Sequence, residues 1–252
     1  MLEIAHITKS YRNKTVLSDI SFDVAPGRFV SIIGPNGAGK STLLSVVAQL
    51  AESSGGTVRL DGRPLASYHR KELSKRMSFL RQSNHLNLKL TVRELVAFGR
   101  FPYSGGRLTA EDNRAVDEAI AYLELEELSS SFIDRLSGGE RQRAFIAMTI
   151  AQDTEYILLD EPLNNLDMKH SVQIMKTLRD MVDRLNKTVL LVIHDINFAS
   201  YYSDEILALK KGRTVAHGSV SEIIRPDILN AVYDMDIEVN RVDGKLLCDY
   251  FA

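Results

Sequence analysis

The segment Phe29-Val30-Ser31-Ile32-Ile33-Gly34-Pro35-Asn36-Gly37-Ala38-Gly39-Lys40-Ser41-Thr42 divides into an apolar run, a glycine-rich loop and the start of a helix. The run Phe29 to Ile33 is short and nearly continuous, which fits a strand buried on both faces, as in a parallel sheet. The loop Gly34 to Ser41 satisfies the pattern G-x-x-x-x-G-K-[ST]. Its glycines let the backbone wrap an anion with the N–H groups pointing inward. Lys40 supplies charge to β- and γ-phosphates, the helix expected over Ser41 to Leu50 adds its N-terminal dipole, and Ser41 offers a hydroxyl to Mg²⁺. A plain glycine-rich turn capping a helix is the alternative. A random chain of this length would match the pattern roughly once in a hundred tries, and this match also lies between a buried strand and a helix. It reads as a nucleotide site comprising Gly34, Pro35, Asn36, Gly37, Ala38, Gly39, Lys40, Ser41 and Thr42.

Outward from this segment, the chain alternates in character. Before it, Ile20, Phe22 and Val24 alternate with polar residues as in a half-buried strand, after a turn at Arg12-Asn13-Lys14. After it, residues from about Ser83 to Arg135 carry helical stripes, Val92, Leu95, Val96 and then Ala115, Val116, Ala119, Ile120, Leu123, broken at Pro102 to Gly106. This is a helical insert, a sub-lobe extending over approximately 83–155, with no flexible linker flanking it. Strand-like runs return at Tyr156–Leu159 and Thr188–Ile193. Between them Met168, Val172, Met175, Leu178, Met181, Val182 and Leu185 trace a long amphipathic helix. Strand–helix–strand order implies a parallel α/β sheet. The tail alternates again, with turns at Lys211-Gly212 and Asp243-Gly244 and an extension over 237–252.

Two further motifs carry chemistry. Tyr156-Ile157-Leu158-Leu159-Asp160-Glu161 is a buried strand ending in two carboxylates, at the sheet edge where ligands bind in such folds. Asp160 is placed to hold Mg²⁺, and Glu161 to orient or deprotonate an attacking water. A strand-end turn is the plainer reading of these residues taken alone. In Leu136-Ser137-Gly138-Gly139-Glu140-Arg141-Gln142-Arg143, Ser137 caps a helix and the paired glycines leave N–H groups accessible, a second phosphate-binding helix start. An ordinary Ser-Gly-Gly turn fits the same residues.

Residues 34–41, 136–140 and 156–161 together resemble the ATP-binding subunit of an ATP-binding-cassette (ABC) transporter, over about Leu2 to Asp236. The resemblance implies an α/β phosphate-loop NTPase fold with a mixed sheet core, an antiparallel β lobe and an inserted helical lobe, in one domain over 1–252. It implies that Tyr11 stacks on adenine with Val16 beside it, that Gln82 links Mg²⁺ and the attacking water to the helical lobe, and that His194 contacts the γ-phosphate. Asn164-Asn165-Leu166-Asp167 resembles the segment that crosses the dimer interface, with Leu166 and Asp167 as its interface residues. Catalysis then falls to Glu161, His194 and Gln82; Mg²⁺ to Ser41, Gln82 and Asp160; and contact with the partner subunit's ATP to Ser137, Gly138, Gly139 and Glu140. Two positions depart from the usual pattern: Leu163 where Thr is common, and Glu140 where Gln is common. Neither removes a chemical group the reaction needs.

The family resemblance further implies a homodimer of ATPase subunits and a two-subunit or homodimeric multi-span permease docking near Gln82 to Tyr103. An extracytoplasmic binding protein acts indirectly. Thr91 to Tyr103 resembles the matching segment of importers for ferric siderophores, haem and vitamin B12. Asp160 to Met175 and His194 to Ser203 are most similar to ferric-siderophore ATPases of the petrobactin or catecholate type. A haem or vitamin B12 importer, an exporter, a soluble cassette protein of DNA repair or translation, and a phosphate-loop kinase or GTPase are the rival readings. The last leaves Leu136 to Glu140 and His194 without a role.

Composition sets the outer bounds. The 252 residues, 44% hydrophobic and 25% charged, suit one large globular domain. A net charge of −2 gives no basic field for nucleic acid, and the cluster Arg70, Lys71, Lys75, Arg76 reads as a solvated helix face. The single Cys248 excludes an internal disulfide framework, and His69, His85, His170 and His217 lack metal-ligand spacing. No apolar run approaches the ~20 residues of a membrane span, and Met1-Leu2-Glu3-Ile4 lacks the pattern of a signal peptide. The expectation is a cytosolic chain, held peripherally at the inner face of the cell membrane by a permease that other polypeptides supply.

Overall fold

The computed structural model describes residues 1–82 and 89–250. His85, and the part of the expected docking segment from 83 to 88, lie outside the described residues. All five residues of the strand Phe29–Ile33 are buried, because it runs inside a six-stranded sheet. The strand order is Arg213–Ser219, Glu205–Lys210, Phe29–Ile33, Thr188–Val192, Tyr156–Asp160, Met77–Leu80. Five strands are parallel, and Arg213–Ser219 adds an antiparallel edge.

Side chains alternate across a strand, so the sheet separates two apolar layers. Phe29 and Ile33 join Ile157, Leu159, Val189 and Leu191 on one face. Val30 and Ile32 join Leu158, Leu190 and Val192 on the other. Both alternating sets must be apolar, which is why these strands read as unbroken runs. Ser31 is a polar exception in mid-strand, and its hydroxyl accepts from Ser203 Oγ at 2.7 Å. The second face is covered by the helix Lys40–Val47 and by an antiparallel sheet ordered Lys14–Val24, Leu2–Tyr11, Gly55–Leu60, Arg63–Pro64. The first is covered by the helices Val92–Ala97, Ala110–Tyr122, Gly138–Ala151 and Met168–Leu185.

The insert helices begin on reciprocal side-chain caps: Thr91 with Glu94, Thr109 with Asp112, Ser137 with Glu140. One ion pair is sealed among them. Arg100 Nε donates to Asp112 Oδ1 at 2.8 Å, with both side chains about 5% exposed or less, and Arg100 Nη1 donates to the Ala151 carbonyl at 3.1 Å. The Asp112 carboxyl titrates near 2, below the usual 3.8, held there first by the Thr109 amide and then by Arg100.

Three expectations need correction. The first helix ends at Val47 rather than Leu50, because Leu50 and Ala51 N–H groups both turn back to the Ser45 carbonyl. In Met168–Leu185 the buried stripe is Ser171, Ile174, Met175, Leu178, Met181 and Val182, whereas the terminal Met168 and Leu185 are exposed. The basic cluster is not one solvated face. The helix there spans only Arg70–Leu73, and Arg76 bridges Asp61 and Glu155 at 2.7 Å each.

Candidate functional site

Phe29–Ile33, Thr188–Val192 and Tyr156–Asp160 are parallel neighbours, so their carboxyl ends share one edge. The residues leaving that edge are Gly34, His194 and Glu161, from segments far apart in the chain. Open parallel sheets bind ligands at such edges.

Gly34 has φ +143, and a Cβ there would lie 2.1 Å from the Leu209 carbonyl oxygen, so only glycine leaves the strand by this path. Gly39 has φ +101 and precedes the helix Lys40–Val47, which carries no side-chain cap. Its first N–H groups are therefore left for a ligand. Lys40 is 4% exposed and donates to the carbonyls of Gly34 at 2.7 Å and Pro35 at 3.1 Å. Burial lowers its pKa, while Glu161 and Asp160 pull it back up. The loop, with Val16, lines a cleft of about 480 Å³ that also takes in Glu161, Lys14 and Lys211. Three lysines against one carboxylate suit a polyphosphate.

At the sheet edge Ser41 Oγ donates to Asp160 Oδ1 at 2.8 Å. Burial, with Glu161 adding repulsion, raises the Asp160 pKa against the hydrogen bond from Ser41. A buried carboxylate beside a hydroxyl supplies hard oxygen donors that fit Mg²⁺. Ser41, Thr42, Asp160, Gln82 and Tyr11 line one cavity, so the tyrosine ring and the glutamine both reach this place.

Glu161 is the point of convergence. It follows the strand with φ +49, an unfavourable left-handed conformation for a side-chain-bearing residue, fixed by its N–H on the Val192 carbonyl at 3.1 Å. Its Oε2 accepts from Gln82 Nε2 at 2.5 Å and Asn164 Nδ2 at 2.7 Å, and His194 Nε2 lies 2.7 Å from Oε1. The carboxylate is 8% exposed and aimed by three side chains from three segments. Strain of this kind gathers where a group is held for chemistry.

The Ser137 segment sits elsewhere. It caps Gly138–Ala151, with Ser137 Oγ donating to Glu140 Oε2 at 2.8 Å. Gly139 packs against Leu166, and a Cβ on it would meet Leu166 Cδ2 at 3.4 Å. Asp167 caps Met168–Leu185 by accepting from the His170 N–H at 2.9 Å. Ser137, Gly138, Gly139, Leu166 and Asp167 thus stand together, and none of them lines the phosphate cleft.

Sequence reading missed Lys14, Lys211 and Asn164 as contributors. Lys211 arrives on the turn it forms with Gly212, whose N–H donates to the Ala38 carbonyl at 3.0 Å. No motif marks such a contact.

Comparison with known proteins places this arrangement. A family model described as "ABC transporter" matches residues 17–164, and the chain belongs to that family. It is one of the family's ATP-hydrolysing chains. Across all 252 residues and the whole of the relative, it is 51% identical to the petrobactin import ATP-binding protein YclP of Bacillus subtilis (strain 168). It is 44% identical to the petrobactin import ATP-binding protein FatE of Bacillus anthracis, over 95% of this chain and 96% of that one. Among solved structures, the dimeric post-hydrolysis state of the ATP-binding cassette MJ0796 bound to ADP and Pi superposes with a TM-score of 0.79 at 31% identity. The superposition covers 87% of this chain and 99% of that one.

Proposed function

We propose that this chain powers import of a ferric siderophore through a separate membrane permease, coupling ATP + H₂O → ADP + phosphate to transport. The observation that carries the hydrolytic part is the Glu161 carboxylate, aimed by Gln82, Asn164 and His194 beside the lysine-lined phosphate loop. Its cargo assignment rests on 51% and 44% identity to two petrobactin import ATP-binding proteins over nearly full lengths.

In this reading residues 34–42 bind the triphosphate, Tyr11 and Val16 flank the adenine, and Lys40 leaves the loop carbonyls for the β- and γ-phosphates. Glu161 takes a proton from the attacking water while His194 donates to the γ-phosphate. Gln82 and Asn164 hold the carboxylate in line. Ser41, Asp160 and Gln82 would hold Mg²⁺, which supplies charge neutralisation at the phosphates when bound. The whole chain, 1–252, acts as one cassette with the helical lobe at approximately 83–155 and the extension at 237–252.

Ser137 to Glu140 lie outside the phosphate cleft of their own chain, which supports a head-to-tail homodimer in which each signature segment closes the other subunit's site. Two-fold pairing also suits a chain carrying both halves. No helix among the described residues is long and apolar enough to cross a membrane, so a permease from other polypeptides, docking near Gln82 to Tyr103, supplies the path. The ATPase then lies peripherally on the cytoplasmic face. Light scattering of the Glu161→Gln protein tests the pairing: a dimer forms with MgATP and not with MgADP. A protein that stays monomeric with saturating MgATP refutes it.

A further inference from the structure

The C-terminal segment takes no part in the chemistry above, yet it touches the phosphate loop at one place and the helix that follows His194 at another. The first is Tyr233, the last residue of the helix Pro226–Tyr233. Its hydroxyl accepts from the Gly34 N–H at 3.1 Å, across 199 residues of chain. That N–H stands where the chain leaves the sheet for the phosphate loop, and a backbone donor left without a partner there is costly. Burial raises the phenol's pKa far above its usual range, so the group stays neutral. On the far side of the same residue, the Gly34 carbonyl receives Lys40 Nζ at 2.7 Å. The position of Gly34 therefore sets where the loop, and Lys40, begin.

The second contact is made by the hairpin Glu238–Val242 and Lys245–Asp249. It lies on the helix Ile196–Tyr202, whose cap is Asp195, the residue after His194. Asn197 pairs with the hairpin as a strand would: its Nδ2 donates to the Cys248 carbonyl at 3.1 Å and its Oδ1 accepts from the Cys248 N–H at 2.7 Å. Ser200 Oγ donates to the Leu246 carbonyl at 2.6 Å. Ile237 and Cys248 are buried, with Val239 and Leu246 packed against the same apolar layer. The hairpin is thus seated, not trailing, on the helix that leads out of His194.

We infer that residues 226–249 form a positioning clamp, in which Tyr233 sets the phosphate loop through Gly34 and the Asn197–Cys248 pairing sets the segment carrying His194. Neither residue touches substrate; each acts through another. The inference rests on the proposed nucleotide roles of residues 34–42 and His194. The two arms then separate by kinetics, because the loop governs nucleotide binding and His194 the hydrolytic step.

Steady-state ATPase assays on the full chain test the clamp with Tyr233→Phe, Asn197→Ala and the milder Ser200→Ala, each with a thermal melt. Tyr233→Phe keeps the ring and removes one hydrogen bond; KM for MgATP rises at least threefold with kcat within twofold of wild type. Asn197→Ala and Ser200→Ala lower kcat at least threefold, with KM within twofold. Should Asn197→Ala not fold, Ser200→Ala carries that arm. Unchanged kinetics with lowered melting temperatures, or KM and kcat moving together in both arms, would overturn the clamp. Wild-type protein that binds no ATP would remove the nucleotide reading and the clamp together, whereas active wild type with unmoved variants removes the clamp alone.

Discussion

Replacing Glu161 by Gln isolates the charge of the converging carboxylate from its shape. Oε2 accepts from Gln82 and Asn164 at 2.5 and 2.7 Å, and Oε1 lies 2.7 Å from His194 Nε2. A glutamine can leave its carbonyl oxygen in the Oε2 place, keeping both amide donors. Its NH₂ then faces His194, which accommodates it by carrying its proton on Nδ1 instead. The side chain therefore stays aimed, and the loop that binds the phosphates is untouched. On the proposed assignment, what is lost is the acceptor for the water's proton, a contribution of about 10²–10⁴ in rate. At 1.36 kcal/mol per factor of ten, that is about 3–5 kcal/mol of barrier. Single-turnover hydrolysis of radiolabelled ATP, with binding measured separately by equilibrium dialysis, gives the two quantities. The expected result is at least a hundredfold slower cleavage with the dissociation constant within about twofold. Cleavage faster than a tenth of the wild-type rate would refute the base assignment. An equal loss of binding would mean that Glu161 builds the site rather than acting in it.

Further outcomes follow from particular contacts. Asp112→Asn leaves one acceptor for three donors, Arg100 Nε, Thr109 N and Thr109 Oγ1, and strands a buried guanidinium at a cost of roughly 3 kcal/mol. Urea unfolding at pH 7 shows that loss. The native carboxyl titrates near 2, below its unfolded 3.8, so its contribution is complete above about pH 4 and disappears as pH falls toward 2. The gap between wild type and variant accordingly narrows at pH 3; a gap that widens would contradict the pairing. Lys14→Ala and Lys211→Ala each raise KM for MgATP about threefold with little change in kcat. Both side chains are exposed, so added salt raises the wild-type KM more than the variants'. Equal salt sensitivity would remove them from the phosphate field.

What sequence reveals here follows the range of the interactions. The phosphate loop, the strand ending at Asp160 and the helix from Met168 are local patterns, governed by backbone geometry and by burial of both sheet faces. They were legible for that reason. The four-residue strand Met77–Leu80 is too short for its period to show, and it exists because Tyr156–Asp160 pairs beside it. Lys211 and Tyr233 reach the loop only after the strand Glu205–Lys210 and the last long helix are packed, so no spacing near Gly34 announces them. Asn164 lies within the proposed interface segment in sequence, but its side chain meets the Glu161 carboxylate only through the left-handed turn at Glu161. Arg76 was misread because charge along a chain says nothing about which carboxylates fold back to meet it.

The central claim is that ATP hydrolysis by this chain drives uptake of a ferric chelate. The direct measurement co-expresses it with candidate permeases, reconstitutes the complexes in liposomes, and records ATPase rate as binding protein and chelate are supplied. Stimulation by a ferric catecholate-type siderophore, lost in Glu161→Gln, is the predicted result. A response to cobalamin or haem, with none to any ferric chelate, would contradict it.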